Sequence, residues 1–198
     1  MNKNKLQINK GFTVIELVIS IFILSIAIIG AYNAFTTMDI LTSSSTDRFV
    51  AAYLAQEGVE IIRNIRDTNW LEMAGDPAVT WTTGLADGDV DCTDGCEADY
   101  TTFGNTADPL YYPYAGRYLY INDGGFYVYE TEGATKTKFK RKITLTLLPT
   151  YTASGVDVYD TLKVVVEVSW DEKGNLINIG TGETEDSIVV EEYLYNWY

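Results

Sequence analysis

One acidic residue stands at the start of a long apolar segment, and its position is the most specific chemical feature of this sequence. Glu16 follows the run Gly11-Phe12-Thr13-Val14-Ile15, and no further charge occurs before Asp39. The apolar segment from Val14 to about Ala31 has roughly the 18 residues that a short transmembrane helix needs. A carboxylate inside a membrane costs on the order of 3 kcal/mol, and somewhat less near the surface. We therefore expect another group to supply a compensating positive charge.

The residues around this acid carry a family resemblance. The run Lys-Gly-Phe-Thr-Val-Ile-Glu-Leu, beginning at residue 10, resembles the processing site of type IV prepilins and pseudopilins. The resemblance implies a leader peptide at residues 1–11, cut after Gly11 by a prepilin peptidase. It also implies N-methylation of the new terminus at Phe12. Glu16 would then meet the terminal amine of a neighbouring subunit and set the assembly register.

The charges on either side of the apolar segment indicate its orientation. Before the segment, the chain carries three lysines, Lys3, Lys5 and Lys10. The positive-inside bias places this end in the cytoplasm and the rest outside. An ordinary secretory signal is cut after its apolar core, whereas the expected cut here precedes it and leaves the anchor in place. We expect a single-pass protein of the cytoplasmic membrane that later enters an extracellular or periplasmic filament.

The two cysteines form the next candidate site. Cys92 and Cys96 lie in the run Cys-Thr-Asp-Gly-Cys. Outside the cytoplasm such a pair is expected to form a disulfide that closes a tight loop. Two thiolates among acids would make a poor metal site without further soft ligands. The sequence contains no histidine, which excludes Ser-His and Cys-His nucleophiles and the usual imidazole zinc sites.

Acidic residues cluster around the cysteines. Asp87, Asp89 and Asp91 alternate, and Asp94, Glu97 and Asp99 follow closely. Carboxylates at this density can hold calcium, but the helix-loop-helix calcium pattern is not met. A solvated acidic loop is the main expectation, with calcium as the alternative and no other cofactor. Paired carboxylates can hydrolyse glycosides, yet nothing in the sequence positions a particular pair, so no enzyme is expected.

One arginine lies in an apolar strand pattern. Arg141 shares a strand face with Phe139 and Ile143. If that face packs on a helix, the buried guanidinium needs an acid, and Glu57 or Glu60 is the expected partner. The alternative is that strand pairing begins after Arg141 and leaves its side chain in solvent.

A basic run surrounds this arginine. Residues 136–142 hold five of the 14 basic residues. A basic stripe could bind a phosphate backbone, but strand lysines also protect exposed edges, and no adjacent aromatic face is evident. The formal charge is −14, and removal of the three leader lysines makes it −17. DNA is therefore not an expected partner.

The elements that position these residues follow from hydrophobic periodicity. We expect a transmembrane or filament-core helix at 12–35, an amphipathic helix half at 36–69, an irregular loop region at 70–116 and an antiparallel β head at 117–198. The 198 residues suit one anchored domain. The fold class is α+β, with the helix laid across a sheet of four or five strands. This matches the pilin fold by pattern and by resemblance.

Details of the helix refine the family comparison. Its second half has a broad apolar face, with Val50, Leu54, Ile61 and Ile65 joined by Phe49, Tyr53 and Ile62. The stretch from Leu54 to Asp67, with Asn69 and Trp70, resembles PilV-like minor pilins and pseudopilins. Asn33 stands where many major pilins carry a proline, which favours a minor pilin or pseudopilin.

The sequence therefore predicts a structural subunit of a type IV pilus or related filament. Its expected partners are the prepilin peptidase, other pilin subunits, the filament assembly machinery and the membrane. The filament could serve adhesion, motility, DNA uptake or type II secretion. The alternative is a permanently anchored binding module that recognises a ligand through residues 70–116.

Overall fold

A computed structural model describes residues 11–85, 92–101, 112–149, 151–153, 156–172 and 184–197. The chain divides into two compact units, one ending at Thr46 and the other starting at Asp47. The boundary falls within a single long helix, α1, which runs Val14–Met73.

The described part of the first unit is almost entirely helix. Every side chain from Phe12 to Asp39 is exposed. The hydroxyl-rich run that follows is also helical, and its threonine hydroxyls bond to carbonyls of the preceding turn. Thr42 donates to the Met38 carbonyl at 2.8 Å and Thr46 to the Thr42 carbonyl at 2.9 Å. These hydroxyls therefore satisfy themselves within the helix instead of breaking it.

The second unit is built on an antiparallel sheet. Its strands, in chain order, are β1 Cys96–Glu97, β2 Tyr112–Pro113, β3 Tyr118–Ile121, β4 Tyr127–Val128, β5 Thr135–Leu148, β6 Tyr151–Ala153, β7 Val156–Val158, β8 Thr161–Glu172 and β9 Thr184–Tyr195. β5 pairs with β1 and β3 and also with β8, which in turn pairs with β9. β2 extends β1, β4 extends β3, and β6 and β7 form a separate two-stranded ribbon.

The predicted α+β architecture is confirmed, with one difference in strand number. The main sheet has seven strands in the described residues, not four or five. Three of them, β1, β2 and β4, are only two residues long. β1 and β2 were missed because they lie in the segment expected to be irregular and are too short to show a period of two. A turn at Asn122–Gly125 joins β3 and β4, which pair antiparallel.

The core lies between the sheet and the second part of α1. β5 and β8 pair without interruption from Phe139–Trp170 to Leu148–Thr161. Alternate residues therefore share one face, and Ile143, Val164 and Val166 on it are fully buried. This is the face that the sequence pattern predicted.

Small residues let α1 approach the sheet closely. Ala51, Ala55 and Gly58 are buried beside Leu54 and Ile62. A Cβ atom at Gly58 would lie 2.9 Å from Cγ1 of Val166 and 3.2 Å from Cδ of Arg141. Gly58 is therefore needed because no side chain fits between the helix and the sheet here.

The predicted apolar helix face is wrong at two positions. Leu54, Ile61 and Ile65 are buried, but Phe49 and Tyr53 are exposed. At 3.6 residues per turn, Phe49 and Tyr53 lie about 140° and 100° from Leu54 around the helix axis, so they lie outside the side that the sheet covers.

Residues 70–116 are more structured than expected. α1 continues to Met73, and the segment contributes β1 and β2. From within the helix, the Asn69 side chain donates to the carbonyls of Trp81 and Thr83 beyond it, at 3.3 and 2.7 Å. Trp81 and Leu85 are buried, so this part of the chain packs back onto the second unit.

The contact at Gly58 generates the first prediction. Gly58→Val should lower the free energy of unfolding by at least about 2 kcal/mol, because the new methyl groups overlap Val166. Thermal unfolding of the detergent-solubilised chain measures this. Val166→Ala in the same chain should restore part of the loss. Gly75→Val is the matched control, since the nearest atom to its Cβ position is 3.8 Å away; an equal loss there would contradict the packing explanation.

Candidate functional site

Gly11 and Phe12 lie in exposed backbone just before α1. Both precede Val14, the first helical residue, and neither has regular secondary structure. The Phe12 side chain is exposed. The Gly11–Phe12 bond therefore lies outside the hydrogen-bond ladder of the helix, where an enzyme can reach it.

Thr13 fixes the start of the helix. Its Oγ1 accepts a hydrogen bond from the backbone N–H of Glu16 at 3.3 Å, and its carbonyl accepts one from Leu17 at 3.2 Å. A threonine three residues before a glutamate is typical of a helix N-terminus, where the helix dipole also favours a carboxylate. Thr13 thus holds Glu16 in the first turn, four residues after Phe12.

Glu16 is the one polar side chain of the apolar segment that lacks a partner among the described residues. The other two polar side chains between Val14 and Ala31 are serines. Ser20 donates to the Glu16 carbonyl at 2.7 Å and Ser25 to the Ile21 carbonyl at 2.8 Å. Both hydroxyls are satisfied within their own helix, whereas the carboxylate of Glu16 forms no ion pair with the part of the chain that is described.

The surface around Glu16 is suited to lipid or to other helices. In the described residues, α1 is the helix that is long and apolar enough to cross a membrane, and none of its apolar window is buried by the chain itself. Leaving that much apolar surface in water is unfavourable. The segment therefore requires a covering environment.

Arg141 is fully buried in the second unit. Its Nη1 donates to the Leu54 carbonyl at 3.0 Å and its Nη2 to the Ala98 carbonyl at 2.7 Å. Nη1 also lies 3.5 Å from Oε1 of Glu57, while Glu60 pairs with Arg63. The structure places Glu57, not Glu60, beside Arg141. Two backbone carbonyls, which sequence patterns cannot locate, take its hydrogen bonds.

The structure joins Cys92 and Cys96 in a disulfide that is buried against the sheet. The Cys92 carbonyl accepts a hydrogen bond from the N–H of Leu145 at 3.2 Å, and Cys96 is in register with Ile143. The small disulfide loop is therefore attached directly to β5.

Glu97 is a buried structural acid that sequence reasoning assigned to a solvated loop. Its Oε1 accepts hydrogen bonds from the N–H groups of Ala115 and Arg117, at 3.1 and 2.9 Å, and Arg117 also forms an ion pair with it. Asp99 is buried too, and accepts a hydrogen bond from the N–H of Tyr129 at 2.9 Å. The expectation of a solvated acidic loop is wrong at these two residues. The only available signal was their position within three residues after Cys96.

The candidate calcium ligands Asp87, Asp89 and Asp91 lie outside the described residues. Within the described ranges, no group of three or more histidine, cysteine, aspartate or glutamate residues could hold a metal ion.

The basic run on β5 is engaged with its own chain. Lys138 pairs with Asp47, and Lys140 pairs with Glu185 at 3.3 Å. The ammonium groups of Lys136 and Lys140 lie 3.7 and 5.0 Å from the centre of the Tyr118 ring. The sequence showed no sign of an aromatic side chain next to this basic run. That expectation is wrong, because β3 places Tyr118 beside β5. That DNA does not bind here stays a prediction.

A cation between two indole rings was also missed. The guanidinium of Arg66 lies 4.4 Å from the centre of the Trp70 ring and 5.3 Å from that of Trp197, and it pairs with Asp67 at 2.7 Å. This cluster attaches the end of the described chain to α1. No local pattern could link two residues so far apart in sequence.

Comparison with known proteins identifies the amino-terminal segment. Residues 7–32 match a family described as "Prokaryotic N-terminal methylation motif". No curated protein and no solved structure matches the chain.

The environment of Arg141 generates the second prediction. Arg141→Met should lower the free energy of unfolding by about 3 kcal/mol, because the carbonyls of Leu54 and Ala98 lose their donors. Glu57→Gln, the matched control, should cost less than about 1 kcal/mol, since Glu57 is a third exposed. The Arg141→Glu/Glu57→Arg double variant should remain unstable in thermal unfolding. Full rescue would show that the ion pair, not the carbonyls, anchors Arg141.

Proposed function

The chain carries the amino-terminal motif of the type IV prepilin and pseudopilin family, and from this premise we propose that it is a minor pilin or pseudopilin. It is cut after Gly11 by a prepilin peptidase, methylated at Phe12 and assembled through the first part of α1 into a filament.

The observation that carries this proposal is the isolation of Glu16 in an exposed apolar helix. A lipid environment covers the apolar side chains but leaves the carboxylate uncompensated, at a cost on the order of 3 kcal/mol for full burial. A second subunit covers the same side chains and also brings a cation. Assembly therefore provides both the apolar cover and the counter-charge, whereas the membrane provides only the apolar cover.

The cation comes from the processing reaction itself. Cleavage after Gly11 frees the amine of Phe12, and an α-amino group with an ordinary pKa of about 8 is largely charged at neutral pH. N-methylation of this amine keeps its charge. Each subunit then carries one base at Phe12 and one acid at Glu16, so every acid can meet the amine of a neighbour.

The described part of residues 70–116 gives little support to a free recognition loop. The N–H of Tyr114 donates to the Gly95 carbonyl at 3.1 Å, and Glu97 holds Ala115 and Arg117. These residues are therefore hydrogen-bonded to β1 and to the residue before it. The anchored binding module therefore has no specific contact in its favour.

Mass spectrometry of the chain isolated from its native membrane tests the processing step. We expect a protein that begins at N-methylated Phe12. Gly11→Val should block cleavage and leave the leader attached, while Phe12, Glu16 and the helix remain unchanged. An unaltered chain that keeps residues 1–11 would contradict the proposal and favour a permanent anchor.

Filament assays test the role of Glu16. Glu16→Ala should reduce the yield of sheared filaments at least tenfold, because the amine of the neighbouring subunit loses its counter-charge. Cleavage and membrane insertion should be unaffected. Ser20→Ala is the matched control one turn further on, since its hydroxyl bonds only to its own helix, and it should assemble normally. Equal yields from the Glu16→Ala and unaltered chains would refute the assembly mechanism.

A further inference from the structure

Residues 95–99, here called the β1 segment, are buried but pair with β5 over a very short ladder. All five residues are buried, although only Cys96 and Glu97 form a strand. Within the described residues, the ladder to β5 has one register pair, Cys96 with Ile143, whereas β5 and β8 share ten. So short a pairing is marginal by itself. Other interactions must therefore hold the β1 segment on the sheet.

The β1 segment also carries two acids into the interior. Glu97 is fully buried and Asp99 is nearly so. Their carboxylates accept hydrogen bonds from the N–H groups of Arg117 and Tyr129, both at 2.9 Å. Removing carboxylates from water is unfavourable unless such partners stay in place. Burial of the two acids therefore offsets part of the stabilisation that the apolar residues of the segment contribute.

A disulfide closes a short loop at the start of the β1 segment. The Cys92 carbonyl accepts hydrogen bonds from the N–H groups of Gly95 and Leu145, at 3.1 and 3.2 Å. Gly95 has a φ of 106°, and a Cβ atom there would overlap Cε of Lys142, so the loop is tightly packed. By restricting the open chain, a disulfide between Cys92 and Cys96 favours the closed form about thirtyfold.

We propose that the Cys92–Cys96 disulfide is a redox latch. While it is intact, the β1 segment stays on β5; when it is reduced, the segment leaves while β5, β8 and β9 stay paired. Release withdraws the Ala98 carbonyl from Nη2 of Arg141. Nη1 of Arg141 keeps its hydrogen bond to the Leu54 carbonyl, so the contact between α1 and β5 remains.

A dithiol is the class of reductant that opens the latch. One of its thiolates attacks a sulfur of the disulfide, the S–S bond breaks, and a mixed disulfide forms. Its second thiolate then attacks the mixed disulfide, and the dithiol leaves as a cyclic disulfide. Two electrons and two protons pass to the chain, which now carries thiols at Cys92 and Cys96. Thr93 and Asp94 between them are exposed, so the loop lies at the surface, where a dithiol can approach.

Hydrogen exchange of the full-length chain in detergent, followed by mass spectrometry, tests the latch. After treatment with dithiothreitol, alkylation should count two thiols per chain. The amides that donate to the latched residues should then exchange at least tenfold faster, in line with the effect of the short loop. These amides belong to Tyr114, Ala115, Arg117, Tyr129 and Leu145. Exchange in β8 and β9 should change less than twofold.

Two variants serve as matched controls. Cys92→Ala/Cys96→Ala lacks the disulfide, so it should exchange like the reduced chain with or without dithiothreitol. Asp94→Asn changes an exposed residue of the same loop but keeps the disulfide. It should match the unaltered chain both before and after reduction.

Three results would overturn the latch. Unchanged exchange in a chain with two counted thiols would show that hydrogen bonds alone hold the β1 segment. An equal loss of protection in β8 and β9 would show that the disulfide stabilises the whole second unit. Failure of dithiothreitol to produce thiols in the folded chain would show that no dithiol reaches the disulfide.

These results separate the latch from the proposed function. If the double alanine variant does not fold, reduction of the unaltered chain still decides between them. None of the measurements involves Glu16 or the Gly11–Phe12 bond, so the processing and filament assays succeed or fail independently.

Discussion

A helix that exposes every side chain from Phe12 to Asp39 needs a covering environment, and the rest of the molecule depends on how this need is met. The apolar surface alone is satisfied equally well by lipid or by other helices. Glu16 breaks that equivalence, because lipid supplies no counter-charge. Under the proposed function, an acid that is costly in the membrane and neutralised by a neighbouring subunit's amine favours transfer into the filament.

The second part of α1 is covered by its own chain. The helix surface that faces the sheet carries the small residues Ala51, Ala55 and Gly58. The sheet packs so closely there that a Cβ at Gly58 would overlap Val166. Charged groups in this core are satisfied locally. Arg141 bonds to the carbonyls of Leu54 and Ala98, and Glu97 bonds to backbone N–H groups. These charged groups therefore find their partners within the second unit itself.

Features that depend on consecutive residues were predicted from the sequence. Features that depend on residues far apart in the chain were missed. The cleavage motif and the strand β5 are local patterns, and they were read from consecutive residues. Phe49 and Tyr53 were assigned to the core because a period of 3.6 shows which side of a helix is apolar but not how much of that side a sheet covers. Glu97 was missed because its burial depends on Ala115 and Arg117, which lie beyond residues that carry no pattern of their own. The pairing of Arg66 with Trp197 depends on where the end of the described chain lies.

The extent of the family match separates the first part of α1 from the second unit. The family motif covers residues 7–32, which under the proposed function is the part that a peptidase and neighbouring subunits contact. The second unit has no matching relative, although its architecture is an ordinary helix on an antiparallel sheet. Under the proposed function, peptidase recognition and charge pairing at Glu16 constrain individual residues. Burial against a sheet constrains only size and polarity, which many sequences satisfy.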